Sequence, residues 1–154
     1  MKEDQAHTIS AIYGDTLFYI SEQHSKIPHI KSNPAYRMPF CHQSVFVKTS
    51  LLKKYHFDTS FKICADNAFF TKIYNQGSRF YYVDMIVSVY NIYGISSKPS
   101  WQFFKEELRI ISAHNPYHIP IFICKYALCL IKYTIKMLLP TVISHKIQSI
   151  YNAK

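Results

Sequence analysis

Glycine is scarce in this sequence, at 3 residues in 154. Phosphate-cradling loops need glycine where backbone amides must approach an anion closely. Neither G-x-G-x-x-G nor a Walker-type G-x-x-x-x-G-K-[ST] occurs. Cysteine is also sparse, at positions 41, 64, 124 and 129, and no C-x-x-C pair is present. That removes support for a zinc or thioredoxin-like reading and leaves free thiols in a reducing cytoplasm as the expectation. The polar, acidic start Met1-Lys2-Glu3-Asp4-Gln5 does not read as a signal peptide. Acids number only 9 against 18 Lys and Arg. A formal charge of +9 attracts nucleic acid, anionic lipid or phosphorylated substrates, and charge alone does not choose among them. No basic run exceeds Lys53-Lys54, which weighs against nucleic acid as a partner.

What is abundant is apolar and aromatic. Hydrophobic residues make up 49% of the chain, with 13 Tyr and 11 Phe. That is enough for a packed core in a single domain rather than a disordered chain. The pattern is mixed α and β. Two β-rich runs, 10–13 and 16–21, flank Tyr13-Gly14-Asp15, where glycine permits a turn or a bulge. A polar stretch over 23–39 carries Pro28, Pro34 and Pro39 and reads as a long loop, functional or mobile. A strand is expected over 40–47, with His42 and Gln43 at its start. Thr49-Ser50 offers a cap for a short helix over 51–55.

A helix over 65–75 places Phe69, Phe70, Ile73 and Tyr74 at helical spacing and stops before Gly77. Asp66 falls in its first turn, where the helix dipole favours a carboxylate by about 0.3–1 kcal/mol. Strands over 79–83 and 86–92 lead to a loop containing Ser96 and Ser97. A helix from Pro99-Ser100 to about His114 has Trp101, Phe104, Leu108 and Ile111 as its expected buried stripe. The tail, 115–154, differs in kind: 119–139 is strongly apolar, yet Lys125, Lys132 and Lys136 share one helical face. Three Lys make a crossing costly, so a basic helix lying in the membrane interface fits better than a span. A helix packing on the domain or on a dimer partner is the other reading, and Pro140 separates a short second helix over 141–151.

Tyr13-Gly14-Asp15, Pro39-Phe40-Cys41-His42-Gln43, and Phe57-Asp58 followed by Ala65-Asp66 together carry a resemblance to the C-terminal half of bacterial family 2 glycosyltransferases. It runs from about residue 9 to 101, with Tyr90 and Gly94-Ile95-Ser96-Ser97 near its end. The resemblance implies an α/β, α+β-like fragment: the acceptor-side half of a GT-A fold over 1–114, followed by a basic amphipathic helical tail over 115–154. In that family the second half supplies one acid at a helix start that deprotonates the acceptor hydroxyl, and Asp66 stands at that position. His42, Gln43 and Ser96 would bind substrate hydroxyls beside it. One carboxylate suffices because the leaving diphosphate is neutralised by a metal ion, unlike glycoside hydrolysis, which uses two.

The family's Asp-x-Asp is missing, since the aspartates are 4, 15, 58, 66 and 84. Asn91 and Tyr93 occupy a neighbourhood where many relatives carry Arg and His, and Ala65 stands where Glu often precedes the base. The expectation is a truncated or split enzyme, inactive alone, whose parent transfers a sugar with inversion from a nucleotide-sugar to a glycan or lipid-linked acceptor in cell-surface polysaccharide synthesis. No cofactor is expected in this chain, and Mg or Mn is expected for the complete enzyme. A complementing N-terminal half, an anionic membrane surface facing 115–154, and a cytoplasmic location at the inner face of the membrane complete the implied setting.

Each residue also has a plainer reading. Asp66 could be an ordinary first-turn acid, His42 a satisfied core histidine, Asp15 a turn former and Ser96 a loop residue. The rival for the whole chain is a non-catalytic, basic, aromatic-rich module that binds glycan or protein.

Overall fold

The computed structural model describes residues 9–21, 24–27, 32–91 and 99–138. The expected Ser96 loop and the short helix over 141–151 lie outside them. The chain divides into two units, Met1–Tyr117 and His118–Lys154.

The first unit mixes helices with one four-stranded sheet. Its centre is β1 (Ile9–Ser21), a single strand where two were expected. On one side β1 pairs antiparallel with β2 (His24–Lys26) through Phe18–Lys26, and with β3 (Val45–Val47) through Ile12–Phe46. β4 (Arg79–Asn91) runs parallel to β1, again as one strand rather than two.

Gly14 explains the continuity. A Cβ there would lie 2.6 Å from both the Met85 carbonyl oxygen and Val87 Cγ2. The glycine therefore lets β4 press against β1 instead of turning the chain. The misfit is absorbed in the ladder: β4 advances from Tyr82 to Ile86 while β1 advances only from Tyr13 to Asp15.

Among the described residues, three α-helices complete this unit. α1 (Thr49–Tyr55) is preceded by Lys48, with no side-chain cap, so the expected Thr-Ser cap is part of the helix itself. α2 (Ala65–Asn75) has the bounds its periodicity predicts, and Gly77 beyond it takes a positive φ of 92°. α3 (Trp101–His114) is capped by the Ser100 hydroxyl, which accepts the Phe103 N–H at 3.1 Å.

The core is largely aromatic. Phe40, Phe69, Phe70 and Ile73 are buried together, with Tyr13, Leu52 and Phe80 packed on them. Phe40 meets Phe70 edge-to-face at 4.9 Å, a geometry that adds about 0.5–1.5 kcal/mol beyond area burial. A second cluster, Phe61, Cys64 and Ile110, joins α3 to the segment before α2.

The buried face of α3 corrects the expected stripe. Ile111 is buried, but Trp101 is 68% exposed, and the inward face carries Glu106, Glu107 and Ile110. On the sheet, Ile12, Phe46 and Tyr81 form one exposed apolar row across three strands.

The second unit contains α4 (Ile119–Leu138), 20 residues long. A window from Pro116 to Ile135 has mean hydropathy 1.3, long and apolar enough to cross a membrane by length and composition. Ile121, Ile123, Leu128, Ile131 and Ile135 on this helix are exposed, as are Lys125 and Lys132.

Candidate functional site

The segment expected to be a strand from residue 40 is strand only from Val45. His42–Ser44 forms a 3-10 turn instead. Ser44 accounts for the departure. Its N–H bonds the Cys41 carbonyl at 2.9 Å. Its fully buried hydroxyl joins those of Thr16 and Ser88, the latter at 2.6 Å, and donates to the Asp15 carbonyl at 3.2 Å. An extended strand could not deliver that hydroxyl between β1 and β4 and also leave His42 outward. The turn does both.

His42 and Asp66 meet across a gap between this turn and the start of α2. Imidazole Nδ1 lies 3.1 Å from Asp66 Oδ2, with the side chains 51% and 28% exposed. The other carboxylate oxygen, Oδ1, accepts the Asn67 N–H at 2.7 Å, which anchors one edge and leaves the other facing His42. Both residues line a cavity of about 530 Å³, within the range of small-ligand sites. Its walls include Phe18, Tyr90 and Phe103, with Arg37 and Glu107 as further charged groups. The Phe18 and Tyr90 rings sit 5.4 Å apart, offering an aromatic wall.

Two glutamates of α3 fasten the chain on either side of Asp66, one through the backbone before it and one through the Asn67 side chain after it. Glu106 is 4% exposed and accepts three backbone N–H groups: Lys62 at 2.9 Å, Ile63 at 2.9 Å and Cys64 at 2.8 Å. Cys64, which precedes α2, provides no side-chain cap of its own. Glu106 thus pins from a distance the turn that launches Asp66. Burial pushes its pKa up, but the Gln102 amide and the three N–H donors outweigh burial and bring it down to about 2.

Glu107, 3% exposed, behaves oppositely. Burial raises its pKa against the pull of Arg37, Cys64 and Asn67. Asn67 Nδ2 donates to Glu107 at 2.8 Å, while Asn67 Oδ1 accepts the Met38 N–H at 2.7 Å. One amide therefore ties the loop that precedes His42 to both helices. Asn75 adds a second tie, donating to the Ala35 carbonyl at 2.7 Å. The stretch 23–39, expected to be a structureless loop, instead contributes β2 at His24–Lys26, and over 32–39 it is fastened to α2. Cys64 lines the cavity too, but burial first, and the charges of Glu107, Glu106 and Asp66 next, push its thiol pKa up, so it is no nucleophile.

Of the expected site residues, the structure brings Asp66 and His42 together. Gln43 is exposed and is not among the residues lining the cavity. Ser96 lies outside the described residues. Asp15 faces Tyr82, whose hydroxyl donates to it at 2.9 Å, and it serves the bulge rather than the cavity. Sequence reasoning missed Glu107, Asn67 and Arg37. The signal available for the first was two adjacent acids, Glu106-Glu107, inside an otherwise apolar helical stripe.

Among the described residues, no group of three or more His, Cys, Asp or Glu side chains is arranged to hold a metal ion. Neither family models, nor curated proteins, nor solved structures yield a match to this chain. The family resemblance rests on the sequence motifs alone.

Proposed function

We propose that this chain is the acceptor-side part of a family 2 glycosyltransferase of the GT-A type, with Asp66 as the base of an inverting sugar transfer. The observation that carries the reading is the Asp66–His42 pair at the rim of a ligand-sized cavity, one carboxylate oxygen anchored and the other directed at the imidazole. In this reading the acceptor hydroxyl enters the cavity and gives its proton to the Asp66 carboxylate. The acceptor oxygen then bonds to the anomeric carbon as the bond to the nucleotide diphosphate breaks. His42 orients the carboxylate and hydrogen-bonds the sugar, and the Phe18–Tyr90 wall takes an apolar sugar face. A base works here only within about 2.6–3.2 Å of the acceptor oxygen, directly or through one water.

Donor binding falls to a complementing half bearing an Asp-x-Asp motif. The exposed Ile12–Phe46–Tyr81 row is apolar surface that such a half could cover. The tail is proposed to lie on an anionic membrane through α4, with Lys125 and Lys132 toward the headgroups; each basic residue near such a surface contributes about 1 kcal/mol.

The test is sugar transfer to a glycan or lipid-linked acceptor by the chain mixed with an Asp-x-Asp-bearing α/β half. Asp66→Asn should lower the rate by about 10²–10⁴-fold, the usual contribution of a positioned base. A variant as active as the parent would end the proposal.

A further inference from the structure

A second cavity lies on the far side of α2 and shares no lining residue with the first. It has a volume of about 340 Å³ and is bounded by the segment after α1, by α2 and by α3. We propose that it is a binding site for a small anion carrying a flat apolar group, of the chemical class of an aryl phosphate. This proposal is independent of the sugar-transfer reading.

The cavity has an aromatic side and a cationic side. Phe57, Phe61 and Phe69 supply the first, with Phe57 and Phe69 rings 4.9 Å apart. Lys72 and Arg109 supply the second, joined by His56 and His114. Asp58 is the one acid among the residues that line it.

Arg109 is held rather than loose. Its guanidinium stacks over Phe61 at 4.4 Å, donates to the Ser60 hydroxyl at 2.8 Å and reaches Asp58 Oδ2 at 3.4 Å. A guanidinium has five N–H donors, so these contacts leave others for an anion. Lys72 has no carboxylate within ion-pair distance among the described residues; its ammonium lies 5.6 Å from the Tyr55 ring centroid. An aromatic face is no counter-ion, and Lys72 itself is exposed. Burial first, and the Lys72 charge second, lower the His114 pKa, so a neutral imidazole can donate or accept a hydrogen bond at neutral pH.

The backbone adds an independent sign. His56 is the non-glycine residue with positive φ, 47°, among the described residues, and it sits in this cavity's wall. Such strain in a side-chain-bearing residue gathers at functional sites. Here it carries the chain from the end of α1 to Phe57 and Asp58, placing an aromatic ring and an Arg109 partner on successive wall positions.

An anion placed between Lys72 and Arg109 would gain two charge-assisted contacts, and its flat group would lie against the Phe57–Phe69 side. The size limits the ligand to something small, at the lower end of known sites.

The experiment is calorimetric titration of the full chain with phenyl phosphate, inorganic phosphate and benzyl alcohol. Phenyl phosphate should bind saturably, about tenfold or more tighter than either of the other two. Lys72→Gln and Arg109→Gln should each weaken it about tenfold, the scale of one lost hydrogen bond to a charge. Lys72→Arg should bind as the parent does, and Arg37→Gln, in the other cavity, should bind unchanged. Lys72 is exposed, so its replacement keeps the test valid even if Arg109→Gln disturbs the fold. Absence of saturable binding, equal affinity for inorganic phosphate, or loss on Arg37→Gln but not on Lys72→Gln would each overturn the proposal.

Discussion

Replacing Glu106 by Gln tests how the site is held. The carboxylate accepts the Lys62 N–H on Oε1 and the Ile63 and Cys64 N–H groups on Oε2, with Gln102 also bonded to Oε1. A carboxamide of the same shape has one accepting oxygen. If that oxygen keeps Ile63 and Cys64, its NH₂ faces the Lys62 N–H, donor against donor. The magnitude follows from linkage. A folded pKa of about 2 against an ordinary value of 4.5 represents about 3 kcal/mol at neutral pH. The side chain is covered yet lies close to the surface, so solvent screening makes that figure an upper bound.

The sign is that of a depressed carboxyl. The contribution is present above the unfolded pKa and fades as pH falls from about 4.5 towards about 2. Urea denaturation of the parent and Glu106→Gln near neutral pH should differ by about 1–3 kcal/mol, with the gap closing as the parent is acidified through that window. A gap under about 0.5 kcal/mol, or one unchanged by acid, would refute the reasoning.

Three further outcomes are expected. Glu107, whose pKa is raised by burial, should act in the opposite sense: Glu107→Gln should lose its disadvantage as pH rises from the ordinary carboxyl range, seen in the same denaturation series. Gly14→Ala should destabilise by about 1–3 kcal/mol, because the new Cβ meets the Met85 carbonyl of the neighbouring strand; a thermal melt within a degree of the parent's would contradict this. The full chain should float with vesicles containing anionic lipid and much less with neutral ones, and indifference to lipid charge would remove the membrane proposal.

Legibility in the sequence followed how local the causes were. α2 was legible to the residue because everything that defines it is close by: apolar positions at helical spacing, Asp66 in its first turn and Gly77 after its end. β1 and β4 each read as two runs in the sequence, the first because Gly14-Asp15 has the chemistry of a turn and the second because residues 84 and 85 interrupt its β-rich pattern. Those residues fit one strand against the other, which only the paired register reveals. The turn at His42–Ser44 was hidden because its cause, the hydroxyls of Thr16 and Ser88, lies 28 and 44 residues away from Ser44.

The inward face of α3 was misassigned for a related reason. Apolar periodicity treats glutamate as outward-facing, yet Glu106 is buried because the turn before α2 presents three unpaired N–H groups to it. Motif order points to Asp66 and His42; Glu107 and Arg37 enter the cavity from segments with no motif of their own, and Asn67, though next to Asp66, draws its role from Met38 and Glu107, 29 and 40 residues away.

The most direct measurement separates binding from chemistry at Asp66. Acceptor saccharide is titrated into the parent and into Asp66→Asn, and transfer is then measured with a donor-binding half supplied. A base that touches the reacting hydroxyl predicts near-equal acceptor affinity with transfer down by about 10²–10⁴-fold. Equal binding together with undiminished transfer would contradict it and favour a module that only holds glycan.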